Sequence, residues 1–98
     1  MNETTAEPAE VIDHPDRSRF EILVDGHIAF AAYRLDGDVM ALTHTIVPNA
    51  LAGHGVGTRL IAGMLKQVRA RHLKIIPECS FVVAYLQKHP EEADLVAN

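Results

Sequence analysis

The segment from Gly53 to Thr58 reads Gly-His-Gly-Val-Gly-Thr and lies between a strand-like run and a helix-like run. A glycine-rich turn that enters a helix leaves several backbone N–H groups without partners inside the helix. Those donors and the helix dipole attract anions, and glycine lets a ligand approach the backbone closely. The segment therefore predicts a site for a phosphate-bearing ligand.

The spacing of these glycines excludes two common phosphate-binding motifs. A P-loop needs Gly-Lys-Ser/Thr, whereas Gly57 is followed directly by Thr58. A Rossmann fingerprint has the spacing G-x-G-x-x-G, and the spacing here is G-x-G-x-G. A tight strand-to-helix connection that binds nothing is the alternative, although three glycines so close together carry an entropic cost.

Two other side chains could carry an acyl group or move a proton. Cys79 follows a predicted strand and a proline at the start of a predicted helix, where a helix N-terminus lowers a thiol pKa. The alternative is a small buried hydrophobic residue, as most free cysteines are. His44 lies in the strand before the glycine segment and is a candidate general base. An inert, half-buried histidine is the alternative there.

Composition narrows the class of protein. The chain has 98 residues, enough for one domain, and its net charge of −4 without a basic stripe argues against a nucleic-acid partner. No apolar run approaches the roughly 20 residues that span a bilayer. With no signal peptide and a single cysteine, we expect a cytoplasmic protein without a membrane anchor. The histidines lack metal-site spacing, so no metal is expected.

These residues must be positioned by a small number of strands and helices. Apolar runs separated by the turn dipeptides Asp25-Gly26 and Asp36-Gly37 predict two hairpins in series. A helical apolar stripe then precedes a short buried strand, which implies a parallel pair with a right-handed crossover. The predicted strands are 20–24, 27–35, 38–47 and 73–76, and the predicted helices are 58–72 and one from Cys79 or Ser80 to before His89.

The predicted fold class is therefore α/β (α+β): a small, mostly antiparallel twisted sheet with one parallel βαβ crossover and two main helices. Residues 1–15 are acidic and contain proline, so we expect a flexible N-terminal tail followed by a single domain over residues 16–98. A small sheet with an uncovered face or edge also allows a homodimer.

Four short motifs occur together over roughly residues 20 to 95, and jointly they resemble the GCN5-related N-acetyltransferases, most closely the small single-domain members. The motifs are His44-Thr45-x-Val47-Pro48, Gly53-x-Gly55-x-Gly57, Ile75-Ile76-Pro77-x-Cys79-Ser80-Phe81 and Lys88-His89-Pro90-Glu91.

The resemblance implies that acetyl-CoA is the cofactor and that an amine of unknown identity, in a protein or a small molecule, accepts the acetyl group. It implies a pantetheine arm between strands 38–47 and 73–76, with Cys79 near the thioester end of the cofactor. We therefore expect Cys79 and His44 as the catalytic residues: either could handle the proton, or Cys79 could carry the acetyl group briefly. The cofactor-binding residues that the resemblance implies are Val47, Gly53, His54, Gly55, Val56, Gly57 and Thr58.

The sequence departs from the family pattern at two positions. Ile46 stands where the small members usually have glutamate, so no carboxylate can move a proton there. Ala52 stands where glutamine or arginine is usual. Two alternatives to an acetyltransferase therefore stay open: a non-catalytic acyl-CoA-binding or interaction module, and a structural domain whose glycine segment binds nothing.

Overall fold

The computed structural model describes residues 10–98, which form five strands and two α-helices around one sheet. The strands are β1 (Val11–His14), β2 (Arg19–Val24), β3 (His27–Asp36), β4 (Val39–Ile46) and β5 (Lys74–Pro77). The helices are α1 (Val56–Ala70) and α2 (Ser80–Lys88), and short 3₁₀ helices cover Pro15–Arg17, Asn49–Leu51 and Pro90–Leu95.

The strands lie in the sheet in chain order, from β1 to β5. All neighbours are antiparallel except β4 and β5, which are parallel and are joined through α1. The two hairpin turns use left-handed backbone at Asp25, Gly26 and Gly37, which explains the Asp-Gly dipeptides. The predicted fold class, with its two hairpins and single parallel crossover, is confirmed.

One face of the sheet carries the hydrophobic core, because both helices pack on that face. The apolar stripe predicted for α1 is fully buried and consists of Leu60, Ile61, Met64, Leu65 and Val68. Tyr33 of β3 and Val82 and Tyr85 of α2 belong to the same buried cluster. The helical periodicity thus identified the buried side of α1 correctly.

The N-terminal segment differs from the prediction, since residues 11–14 form β1 rather than part of a tail. Residues that are distant in the sequence hold this strand in place. Gln67 Nε2 of α1 donates a hydrogen bond to the Val11 carbonyl (2.8 Å), and Arg71 pairs with Asp13 (2.9 Å). These partners lie far away in the sequence, so they could not be predicted from the acidic, proline-containing segment itself. The rest of the predicted tail, residues 1–9, lies outside the described residues.

The second face of the sheet, here called the open face, has no helix of residues 10–98 packed on it. Cross-strand partners share a face, so Ile12, Glu21, Phe30 and Ile46 form one row across it. Its large apolar side chains are exposed, namely those of Ile12, Leu23, Ile28, Ile46 and Ile76. No helix in the described part of the chain is long and apolar enough to cross a membrane.

Glu21 is the buried charge on the open face, with 7% of its surface exposed. Arg19 Nε lies 2.7 Å and Arg17 Nη1 3.1 Å from Glu21 Oε2, and His14 Nε2 lies 3.3 Å from Oε1. Burial alone would raise the pKa of this carboxyl, but hydrogen bonds from Arg19 and Arg17 outweigh burial and hold the pKa below its usual value.

Candidate functional site

The glycine segment forms the N-terminus of α1. Gly53 and Gly55 have φ angles of +78° and +72°, in the left-handed region that L side chains rarely adopt. Gly55 is the N-cap residue and offers no capping side chain. The N–H groups in the first turn of α1, beginning at Val56, therefore have no partner inside the helix. N–H groups of this kind can bind an anion, and the phosphate site expected here stays a prediction.

Gly57 is needed for a different reason. It lies inside α1, and a Cβ atom built on it would lie 2.4 Å from Cζ of Phe81. The ring of Phe81 in α2 is therefore packed directly on the backbone of α1. This glycine lets the two helices approach each other. Gly53 and Gly55 are therefore needed for their backbone conformation, and Gly57 for close packing.

A surface groove of about 330 Å³ lies over this helix N-terminus. Every predicted cofactor-binding residue lines it except His54, whose side chain is exposed. The groove is lined by Val47, Leu51, Ala52, Gly53, Gly55, Val56, Gly57, Thr58 and Phe81. We call it the glycine groove. Ala52, which stands where the resembled family usually has glutamine or arginine, is part of its wall.

The strands β4 and β5 separate next to this groove. They pair from Val39–Lys74 to Leu42–Pro77, and the carbonyl of Leu42 then accepts hydrogen bonds from the N–H groups of Glu78 (3.1 Å) and Cys79 (2.9 Å). A bulge in β4 at this point shifts its register against β3. Beyond Leu42, the edge of β4 is not paired with β5 and can hydrogen-bond an extended ligand.

Cys79 lies where the two strands separate, as the N-cap residue of α2. It is 9% exposed, and its Sγ lies 3.2 Å from Oγ1 of Thr45 in β4. Burial raises the pKa of this thiol, but its hydrogen bond with the Thr45 hydroxyl and hydrogen bonds from backbone N–H groups at the start of α2 outweigh burial and leave the pKa below its usual value. Thiolate therefore forms more readily at Cys79 than at an ordinary cysteine.

His44 is adjacent to Thr45 but lies on the other face of β4. Side chains alternate along a strand, so His44 shares the open face with Ile46, which is 49% exposed. Its side chain is exposed, and no residue within 10–98 pairs with its imidazole. The structure does not bring the two predicted catalytic residues into contact. Each instead lies beside the point of strand separation, on opposite faces of β4.

Leu51 and Ala52 in the wall of the glycine groove were not predicted as site residues, and neither were Thr45 and Phe81. Thr45 contacts Cys79 across 34 positions of sequence, and nothing in the local pattern marks it as a partner. Phe81 belongs to the motif around Cys79, but its packing on Gly57 depends on how the helices meet. Within residues 10–98, no group of three or more His, Cys, Asp or Glu side chains is placed to hold a metal ion.

Comparison with known proteins assigns the family. Residues 19–95 match the family model described as GCN5-related N-acetyl-transferase. The fold is similar to an NMR solution structure of a GCN5-like N-acetyltransferase candidate from Staphylococcus aureus. The two chains are 29% identical with a TM-score of 0.70, and the match covers 95% of this chain and 92% of the other. With its fold and its family match in agreement, this chain belongs to the GCN5-related N-acetyltransferase family.

Proposed function

We propose that the protein binds acetyl-CoA in the glycine groove and transfers the acetyl group to an amine. The observation that carries this proposal is the position of Cys79. Its buried thiol, with a lowered pKa, lies where the free edge of β4 begins, and the glycine groove lies over the N-terminus of α1. A phosphate site and a nucleophile joined by an unpaired strand edge suit a long ligand with a phosphate end and a reactive end.

The residues of the groove fit the cofactor. The free N–H groups at the start of α1 suit its pyrophosphate, and Gly53 and Gly55 leave that backbone uncovered. The unpaired edge of β4 between Leu42 and Val47 suits the amides of the pantetheine arm. Once bound, acetyl-CoA supplies an acetyl group activated as a thioester.

Cys79 takes the acetyl group in the proposed reaction. Its thiolate forms a bond to the acetyl carbonyl carbon as the bond from that carbon to the sulfur of CoA breaks, and CoA leaves as its thiolate. The acceptor amine then attacks acetyl-Cys79 and releases the Cys79 thiolate. Backbone N–H groups at the separated strand ends stabilise the negative charge on oxygen in both steps.

The acceptor amine reaches acetyl-Cys79 from the open face, through the gap between β4 and β5 beyond Leu42, and His44 on that face takes the proton that the amine loses. His44 is exposed on the open face, so it can pass this proton to solvent, and Ile46 beside it cannot replace it. Replacing His44 by Gln is expected to lower turnover by about 10²-fold or more while leaving cofactor binding unchanged. The measurement is steady-state acetyl transfer together with calorimetric binding of CoA.

Mass spectrometry after incubation with acetyl-CoA tests the proposal. We expect one acetyl group on Cys79 in the wild-type protein, and its discharge when a reactive amine is added. The Cys79→Ala variant should bind acetyl-CoA but carry no such group. Turnover that survives Cys79→Ala would show direct transfer from the cofactor, without an acyl-enzyme.

A non-catalytic acyl-CoA-binding or interaction module is the second candidate, and the exposed aliphatic side chain of Ile46 favours it. This protein would bind acetyl-CoA but would acetylate neither Cys79 nor any amine in a broad screen of peptides and small amines. Binding without either product would therefore support the module over the enzyme.

A further inference from the structure

We infer that a second groove, between α1 and α2, receives the adenosine 3′-phosphate end of CoA, with Lys88 as the partner of the 3′-phosphate. This inference rests on the proposed function, because it extends the same ligand beyond the glycine groove. It names Lys88 as the residue that distinguishes CoA from pantetheine compounds without a 3′-phosphate.

The second groove continues the glycine groove. It measures about 160 Å³ and is lined by Thr58, Phe81, Ala84, Tyr85, Lys88 and His89. Thr58 and Phe81 line both cavities. A ligand with its pyrophosphate at the start of α1 can therefore extend into the second groove along one surface. The two grooves together fall in the range of roughly 300–1,000 Å³ that is typical of ligand sites.

The charges of the region single out Lys88. No carboxylate within residues 10–98 lies within 4.0 Å of its ammonium group, whereas two basic residues near the end of α1 are already paired. Arg69 binds Asp94 and Glu92, each at 2.7 Å, and Arg71 binds Asp13 at 2.9 Å. Of these three cations, Lys88 is therefore the one left for a phosphate dianion.

Two acidic side chains lie near the second groove, on the 3₁₀ helix that follows α2. Glu91 Oε2 is 3.3 Å from Nδ1 of His89, and Glu92 is held by Arg69. Both carboxylates repel an anion in this area. A phosphate can therefore bind there only if a positive charge such as that of Lys88 offsets the repulsion.

The remaining lining of the second groove suits a heteroaromatic base. Phe81 exposes 38% of its surface, and Ala84 continues an apolar strip along α2. The rings of Tyr85 and His89 are stacked with centroids 4.0 Å apart. Aromatic faces bind bases by stacking without requiring a particular base edge. We place the adenine against Phe81 and Ala84, with its 3′-phosphate toward Lys88.

Calorimetric titration with CoA and with 3′-dephospho-CoA tests the inference. Wild-type protein should bind CoA about tenfold more tightly than the dephospho compound, as one charge-assisted contact contributes. Lys88→Ala should remove this preference and leave the affinity for 3′-dephospho-CoA unchanged. Lys66→Ala is the matched control, because Lys66 is exposed and lies eight residues beyond Thr58, about 12 Å along α1.

The outcomes separate the inference from the proposed function. Absence of binding by both compounds would overturn both. Equal affinity of the wild-type protein for the two compounds would overturn the inference alone. A preference for CoA that persists in Lys88→Ala would also overturn it, and would direct attention to Arg59, an exposed cation in the first turn of α1.

Discussion

At the scale of single residues, the chemistry depends on what surrounds the Cys79 thiol. The Thr45 hydroxyl lies 3.2 Å from the sulfur and is one cause of its lowered pKa. Replacing Thr45 by Val removes that hydrogen bond. Burial, which raises the pKa of the thiol, then has less to oppose it, so the pKa of Cys79 should rise. The alkylation rate of Cys79 with iodoacetamide, measured against pH, should shift to higher pH.

Thr43→Val is the matched control for this prediction. Thr43 lies in the same strand, but its hydroxyl donates to the carbonyl of Ala32 and not to Cys79. Its alkylation profile should stay at the wild-type position. A profile that is the same for both variants and the wild type would show that Thr45 does not tune the thiol.

Sequence reasoning predicted only part of this site. The positions of Cys79 before a helix and of Gly53 and Gly55 before α1 follow from local rules about helix termini and backbone freedom. Thr45 and Phe81 could not be assigned, because their partners are fixed by the crossover that brings β4, α1 and α2 together. His44 was placed in the correct strand, but the bulge in β4 shifts the strand's register and was not foreseen.

At the scale of elements, β1 packs closely on α1 where Val11 lies against Gly63. A Cβ atom on Gly63 would lie 2.5 Å from Cγ2 and 2.7 Å from Cβ of Val11. An alanine in an open helix interior normally stabilises relative to glycine. Here we expect the opposite: Gly63→Ala should lower the free energy of unfolding by about 1–3 kcal/mol, because β1 must move. Urea denaturation measures this change.

Hydrogen exchange supplies the control for Gly63. Protection should fall in β1 of the Gly63→Ala variant, while the amides that pair β3 with β4 stay protected. The Val11→Ala/Gly63→Ala double variant should recover part of the lost stability. A Gly63→Ala variant more stable than the wild type would contradict the close packing of β1 on α1.

β1 was not predicted as a strand because the residues that contact it lie far away in the sequence. Asp13 accepts a hydrogen bond from the Tyr33 hydroxyl at 2.7 Å, and burial together with Asp13 raises the pKa of Tyr33 to about 12. An acidic residue before a proline is typical of a tail when read alone. The hairpins and α1 were predictable because their signals are local, whereas β1 depends on partners 20 to 58 residues away.

At the scale of the whole molecule, stability should fall in acid. The pKa values of Glu21 and Asp94 are lowered in the folded state, chiefly by hydrogen bonds from arginines that outweigh burial at Glu21. Groups of this kind stabilise the fold above their unfolded pKa, and that contribution is lost as pH falls through the folded pKa. The free energy of unfolding should therefore decrease below about pH 4.5, the usual value for Glu21.

Glu21→Gln isolates the contribution of the open face. At pH 7 this variant should be less stable than the wild type, since Arg17 and Arg19 lose their buried partner. The two proteins should converge only as pH falls through the lowered pKa of Glu21 in the folded state, because the wild-type carboxyl then becomes protonated. Glu10→Gln, an exposed carboxylate on the same side of the sheet, is the control. A constant difference at all pH values would contradict the ion-pair network.

The open face also bears on assembly, where the homodimer expected from the sequence stays a prediction. The exposed side chains of Leu23, Ile28 and Ile46 form much of its apolar surface. Sedimentation equilibrium of the wild type and of Leu23→Lys tests it. A dimer that dissociates in Leu23→Lys would place the interface on the open face, and a monomeric wild type would leave that face to an acceptor or another partner.

The central claim is that acetyl-CoA binds across the glycine groove and the free edge of β4. Amide chemical shifts in ¹H–¹⁵N spectra, followed during titration with acetyl-CoA, test it most directly. Saturable changes in chemical shift should concentrate at Gly53–Thr58, Thr43–Val47 and Cys79, while the chemical shifts of the amides in β1 and β2 stay unchanged. No saturable change at millimolar acetyl-CoA, or changes confined to β1 and β2, would contradict this account of the site.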